Sequence, residues 1–191
     1  VRPGFAGPGW VGERVPPFEF ASTSHTNSGC RQQFISPVNI RISQFGAEFI
    51  RNFRRFMHDD PEVPELAFQS FGYLYLADNP AFAETLREVQ GIQAANGAQT
   101  RHMGRDEIAA AYPFYQLDDI IAGNHNTVDE GYFDGGTMFD WFKRMARRRG
   151  VTFLHDEVTG MTLNRAGSAV DSVQLKSGAS VSCGTVVNAS G

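Results

Sequence analysis

The sequence predicts an α/β fold: a parallel sheet interrupted by an inserted β-meander, together with part of a second, mixed sheet. Three observations carry this. A helical pattern stops at Gly150 and residues 151–154 follow at once as a strand, which is the second half of a strand–helix–strand crossover. Residues 157–163, 169–176 and 180–182 then form three short strand patterns separated by turn residues at 164–168 and at Ser177-Gly178, the signature of a meander. Earlier in the chain, strand patterns at 71–77, 99–103 and 120–124 alternate with helices and supply the second sheet.

The elements follow in order. Ser36 is a good N-cap and Pro37 suits the first helical position. Ile42, Phe45, Phe49, Phe53 and Phe56 then recur at helical spacing with Arg41, Glu48, Arg51, Arg54 and Arg55 mostly between them, so the first helix is expected to reach His58. A loop occupies 59–64. The aromatic run FGYLYLA at 71–77 reads as a strand. Residues 80–96 read as a helix ended by Gly97, and 105–111 as a short helix stopped by Pro113. Residues 127–136, rich in Asp, Glu and Gly, read as a loop. Thr137 is expected to cap a third helix with Phe139, Phe142, Met145 and Ala146 on one face. Val186-Val187 reads as a buried strand running into the small-residue turn Asn188-Ala189-Ser190-Gly191. A strand that ends on the last residue has nothing after it to pack, so a fragment is expected. The Gly- and Pro-rich residues 1–17 read as neither strand nor helix.

Composition narrows the function. With 191 residues, 41% of them hydrophobic and 16 Phe, the chain can fill a real core. A net charge of −4 provides no broad basic surface for nucleic acid. Arg144, Arg147, Arg148 and Arg149 sit at a helix C-terminus, where cations complement the dipole. Cys30 and Cys183 have no metal or disulfide spacing, and a reducing, cytoplasmic compartment is expected. No apolar run approaches the ~20 residues of a membrane span, and none resembles a signal peptide. His58, His102, His125 and His155 form no metal-binding pair on one helix. Asp129, Glu130 and Asp134 lack the calcium-loop pattern and read as structural.

The chemistry concentrates in residues 21–51. Ser22, Thr23, Ser24, Thr26 and Ser28 can donate hydroxyl and backbone N–H groups to pyrophosphate or ribityl oxygens, or can serve as an exposed capping loop. Arg31 follows directly; its guanidinium can hold an anion bidentately or form a surface ion pair, and spacing leaves the two open. Tyr73 and Tyr75 read as sheet packing, with a substrate cavity as the alternative.

The segment ASTSHTNSGCRQQFISPVNIRI at 21–42 resembles the stretch after the first dinucleotide-binding unit in the D-amino-acid oxidase (DAO) superfamily of FAD-dependent oxidoreductases. The resemblance continues through Phe71-Gly72-Tyr73-Leu74, Pro113, Asp129-Glu130-Gly131-Tyr132-Phe133-Asp134, Gly150-Val151, Glu157-Val158 and Val187 to Gly191 in shared order. It is strongest within the group holding the mitochondrial FAD-dependent oxidoreductase domain protein and the sarcosine and dimethylglycine dehydrogenases. It implies a Rossmann-like, glutathione-reductase-type FAD-binding fold. The implied division is a remnant of the FAD-binding domain with the flavin-contacting loop and helix at 1–58, a substrate-domain portion at 59–134, and the crossover helix, strands and meander at 135–191.

The resemblance also implies site roles. Ser22, Thr23, Ser24, Ser28 and Gly29 bind the FAD pyrophosphate and approach the flavin. Val158 meets the adenine through its backbone, and Asn188, Ala189, Ser190 and Gly191 contact phosphates. Glu13, beside Arg14, holds the adenosine ribose. Ser22-Thr23-Ser24-His25 matches the run that carries a covalently linked histidine in the dehydrogenases, but Thr26-Asn27-Ser28-Gly29 replaces a shorter Ala-Ala-Gly. A non-covalent polar contact of His25 is therefore the preferred expectation. The family's Gly-x-Gly-x-x-Gly loop is absent, since Gly4, Gly7, Gly9 and Gly12 lack that spacing, and the strand before Glu13 reads as spoiled by Pro8 and Gly9.

The implied activity is oxidation of an amine or amino acid at its C–N bond, with FAD as cofactor and a small-molecule substrate of sarcosine, N-methyl or D-amino-acid type. Arg31 is the expected cationic neighbour of flavin or substrate, and Gln32 the second candidate. The alternatives are a non-catalytic, flavoprotein-like assembly factor and an inert fragment unable to hold FAD.

Overall fold

Short strand patterns and well-capped helices alternate along the chain, and the computed structural model, which describes residues 7–15, 18 and 21–190, shows how they pair. The elements are β1 (Trp10–Glu13), α1 (Ser22–His25), β2 (Gly29–Cys30), α2 (Pro37–Arg51), α3 (Phe53–Phe56), β3 (Phe68–Gln69), β4 (Tyr73–Ala77) and α4 (Pro80–Ala95). Then follow β5 (Arg101–Gly104), α5 (Arg105–Ala111), β6 (Ala122–Asn126), β7 (Gly131–Phe133), α6 (Gly135–Arg148), β8 (Thr152–His155), β9 (Val158–Leu163), β10 (Val170–Leu175) and β11 (Ser180–Ser182). The chain divides into two compact units, one of Val1–Thr26 with Phe139–Gly191 and one of Asn27–Met138.

In the first unit, β1 pairs in parallel with β8, in register from Trp10 opposite Thr152 to Glu13 opposite His155. The expectation of a spoiled strand before Glu13 is thus corrected. Gly9 lies just before the pairing, where its carbonyl still accepts the Thr152 N–H at 2.9 Å, so Gly and Pro end the strand rather than break it. The meander forms as expected, with β10 central and antiparallel to β9 and β11. Val186-Val187 is corrected in the other direction. It forms no strand, Val187 is 82% exposed, and no neighbouring strand among the described residues pairs with it.

In the second unit, β4, β6 and β5 form an antiparallel sheet in that spatial order, and β2, β7 and β3 form another. Strand alternation splits β4 between two faces. Leu74 and Leu76 pack on the core of Met103, Ile108 and Leu117, while Tyr73 and Tyr75 point the opposite way.

The helices follow their caps. Asn79 Oδ1 accepts the Phe82 N–H at 2.9 Å, Pro80 opens α4, and Gly97 leaves it at a φ of +83°. Glu107 Oε2 reaches back to the Gly104 N–H at 2.9 Å and starts α5. The first long helix ends at Arg51 and a single turn, α3, carries on to Phe56, the break falling at Asn52. Ser36 holds the N-cap position without a side-chain hydrogen bond. Thr137 does not cap α6. Asp134 does, accepting the Thr137 N–H at 2.9 Å and its hydroxyl at 2.7 Å.

Candidate functional site

Glu13 ends β1, and in an α/β sheet ligands gather at the carboxyl ends of parallel strands. Its Oε1 accepts the Val15 N–H at 2.8 Å, closing the turn that carries Arg14. Gly12 brings this strand end close to β9: a Cβ there would lie 3.8 Å from Val158 Cγ2. Two of the residues expected at the adenosine end are therefore neighbours in one unit.

Ser22, Thr23, Ser24 and His25 form the single turn α1 instead of a loop, and all four are exposed. Ser24 Oγ donates to Phe18 O at 2.6 Å. Asn188 and Ser190 bond to each other: Asn188 Oδ1 accepts from Ser190 N at 3.2 Å and Oγ at 2.8 Å, while Ala189 is exposed. Gly191 lies outside the described residues. Among the described residues no hydrogen bond joins α1 to Asn188–Ser190, so the structure groups them only by unit. A carboxylate at a strand end and, in the same unit, exposed hydroxyl and N–H donors are the donor types that ribose hydroxyls and phosphate oxygens require, so the chemistry of these residues fits an FAD.

The second unit contains an open cavity of about 450 Å³ lined by Asn27, Cys30, Arg31, Phe34, Ser43 and Tyr73. Gly29 also borders it, and a Cβ there would overlap the Tyr73 hydroxyl and displace that side chain. Ser28 sits just before, at a φ of +52°. Arg31 is exposed at the cavity. Its guanidinium lies over the Phe34 ring at 4.8 Å, near the Tyr75 ring at 5.8 Å, and donates to the Tyr75 hydroxyl. Arg31 has no carboxylate partner among the described residues, which leaves the surface ion pair unsupported. Tyr73 thus borders this space, and Tyr75 holds the Arg31 side chain that lines it.

Gln32 takes a different position. It is 4% exposed, and its Nε2 donates to Val128 O at 3.0 Å. Its backbone N–H donates to Glu130 Oε1 at 2.7 Å. Glu130 is wholly buried and also accepts from Asn126 Nδ2 at 3.0 Å and Gln33 Nε2 at 2.9 Å. Burial pushes its carboxyl above the usual range, and these amide donors pull it partly back. Burial also raises the Cys30 thiol, with the charges of Glu130 and then Asp129 adding to the rise. Sequence reasoning read Glu130 as a structural residue of the 127–136 loop; its burial and its bonds to Gln32 and Gln33 come from segments distant in sequence.

On the other face of β6, His125 Nε2 pairs with the Tyr112 hydroxyl at 2.9 Å. Burial first, and Arg101 second, lower its proton affinity. Among the described residues no group of three His, Cys, Asp or Glu could hold a metal ion. No helix there is long and apolar enough to cross a membrane.

Comparison with known proteins bears on this geometry. A family model described as FAD dependent oxidoreductase (DAO) matches residues 13–191. FAD-dependent oxidoreductase domain-containing protein 1 of Xenopus laevis is 31% identical over 200 residues, covering 95% of this chain and 40% of the relative. Its Bos taurus counterpart is 32% identical over 151 residues, covering 78% of this chain and 31% of the relative. The chain therefore spans less than half the length of these curated relatives. Among solved structures, L-proline dehydrogenase from P. horikoshii superposes with a TM-score of 0.72 at 24% identity, over 88% of this chain and 42% of that one. Glycine oxidase from Geobacillus kaustophilus gives 0.70 at 13% identity, over 88% and 45%. These two share the fold, a mixed α/β arrangement with a parallel pair and separate antiparallel sheets.

Proposed function

The chain belongs to the FAD dependent oxidoreductase (DAO) family, and from that premise we propose that it is part of an enzyme oxidising the C–N bond of a small amino acid or N-methyl amino acid. FAD, when bound, supplies the acceptor for the hydride equivalent leaving the carbon next to nitrogen, and water then hydrolyses the resulting imine. The named neighbours, a proline dehydrogenase and a glycine oxidase, support the amino-acid class.

Glu13 would accept the ribose hydroxyls, with Arg14 beside it. Val158, Asn188, Ala189, Ser190 and Gly191 would attend the adenosine and phosphates. Ser22, Thr23, Ser24, Ser28 and Gly29 would donate to the pyrophosphate, with His25 as a non-covalent polar neighbour of the flavin. Arg31 is the group that recognises substrate: its guanidinium would take the carboxylate of the amino acid bidentately. Gln32, buried and bonded through its side chain to Val128, would support Arg31 rather than touch substrate.

The observation that carries this reading is the position of Arg31, an exposed guanidinium at a cavity, steadied by two aromatic rings and a hydroxyl and unopposed by a protein carboxylate among the described residues. The test is anaerobic mixing of the FAD-loaded protein with N-methyl and D-amino acids, and with the matching amines that lack a carboxylate. Bleaching of the visible flavin band by the acids but not by the amines is expected. No bleaching by any of them sinks the reading.

A further inference from the structure

We propose that Glu130 is a positioning residue of the Arg31 cavity: its buried carboxylate holds the two residues after Arg31 so that the guanidinium stays at the cavity, and its negative charge reaches Cys30 in the cavity lining. The proposal rests on the reading of Arg31 as the carboxylate-binding group.

The bonds around Glu130 converge on one short segment. Its Oε1 takes the Gln32 N–H and its Oε2 takes the Gln33 side-chain amide. The same Gln33 amide donates to Tyr73 O at 2.8 Å, tying the segment to the strand that also carries Tyr75. Gln93 Nε2 holds Phe34 O at 3.3 Å. Three consecutive residues after Arg31 are thus pinned, and the third is the ring on which the guanidinium stacks. Glu130 is itself fixed from two further directions, by Asn126 Nδ2 on its carboxylate and by the Gly72 N–H on its backbone carbonyl at 2.9 Å.

A neutral hydrogen-bonding residue could brace a loop at less desolvation cost, so a wholly buried carboxylate with only amide donors calls for a reason. Its charge reaches the cavity. Cys30 lines that cavity, and Glu130 is the first of the two charges that raise its thiol. The second, Asp129, is already paired with Arg51 at 2.6 Å. Arg31 lines the same cavity and leads directly into the segment that Glu130 holds.

The test uses the full chain carrying Cys183→Ser, which leaves Cys30 as its one thiol. The rate of Cys30 alkylation by iodoacetamide is followed against pH, with and without benzoate as the carboxylate probe. In the parent, benzoate is expected to protect Cys30, and Arg31→Leu to abolish the protection. Glu130→Gln is expected to move the alkylation midpoint to lower pH and to weaken benzoate protection roughly tenfold. Should Glu130→Gln fail to fold, Glu130→Asp replaces it, keeping the charge but withdrawing it by one methylene. The midpoint then stays put and protection weakens. Protection equal to the parent's in the folded variant overturns the proposal and leaves the Arg31 reading standing. Protection lost from Glu130→Gln with an unmoved midpoint also overturns it, since the charge would then not reach the cavity. Absence of benzoate protection in the parent removes the Arg31 reading and the proposal together.

Discussion

The backbone N–H of Gln32 donates to the carboxylate of Glu130 at 2.7 Å, across 98 residues of chain and in the absence of any exposed surface on Glu130. Removing that acceptor is costly. Glu130→Ala leaves the Gln32 N–H and the Asn126 amide donor without their partner, while Gln33 Nε2 keeps Tyr73 O. At about 1–3 kcal/mol for each of the two orphaned donors, a loss of roughly 2–6 kcal/mol is expected. A urea titration reads it; a change under about 1 kcal/mol would contradict the network's weight in the fold.

The same group sets a pH dependence. Burial raises the folded-state affinity of Glu130 for its proton above the ordinary value of 4.5. The unfolded chain releases that proton more readily, so this contribution to stability is fully present below pH 4.5 and is lost as pH rises through the raised folded value. The unfolding free energy of wild type minus that of Glu130→Gln, measured across that rise, should therefore fall as pH increases. A difference that stays constant, or rises, contradicts the assignment.

His125 works in the opposite sense. Burial and Arg101 depress its folded proton affinity below the ordinary 6.5. Its contribution is present above pH 6.5 and lost as pH falls through the lower folded value. Wild type should thus weaken on acidification over that range more than His125→Asn does. Tyr112→Phe, which removes the hydroxyl partner at 2.9 Å, should cost about 1 kcal/mol. An acid titration of the denaturation midpoint for the three proteins checks both points.

Gly131 is fixed by two constraints. Its φ is +147°, and a Cβ would overlap the Gln69 carbonyl of the adjoining β3. Gly131→Ala must rotate the backbone or push β3 from β7, where Phe68 faces Phe133 and Gln69 faces Tyr132. A loss of about 3 kcal/mol or more is expected from strain and lost pairing combined. Gly46→Ala, in open space on α2, is the control and should be neutral or slightly stabilising in the same denaturation assay.

Much of the fold was legible because its signals are local. Asn79, Pro80 and Gly97 bracket α4 with their own side chains and dihedrals. The meander and the crossover helix likewise announce themselves through turns and periodicity. The strands β2, β3 and β7 did not, because two or three residues are too few to show alternation. Val186-Val187 misled for the complementary reason: an apolar pair makes a strand only where a partner strand supplies hydrogen bonds. In the candidate site, the sequence singled out Arg31 by its place after the hydroxyl-rich stretch. Its pairing with Tyr75, 44 residues away, and the burial of Glu130 were not legible, since both are created by segments meeting in space.

Arg31 offers the sharpest functional prediction. Its side chain stacks on Phe34 and bonds to Tyr75, which fixes its orientation but, among the described residues, uses only one of its five N–H donors. The remaining donors can take a carboxylate in a fork that Lys cannot reproduce. Arg31→Lys should therefore raise KM for an amino-acid substrate more than it lowers kcat, by roughly tenfold, and Arg31→Leu by roughly a hundredfold or more. Tyr75→Phe removes the bond that steadies the guanidinium yet leaves its charge, so a smaller rise, about threefold, is expected. Steady-state kinetics on the FAD-loaded enzyme, with an amino acid and its decarboxylated amine compared side by side, separates the cases. If the Leu variant discriminates between acid and amine as well as wild type does, Arg31 does not bind the carboxylate.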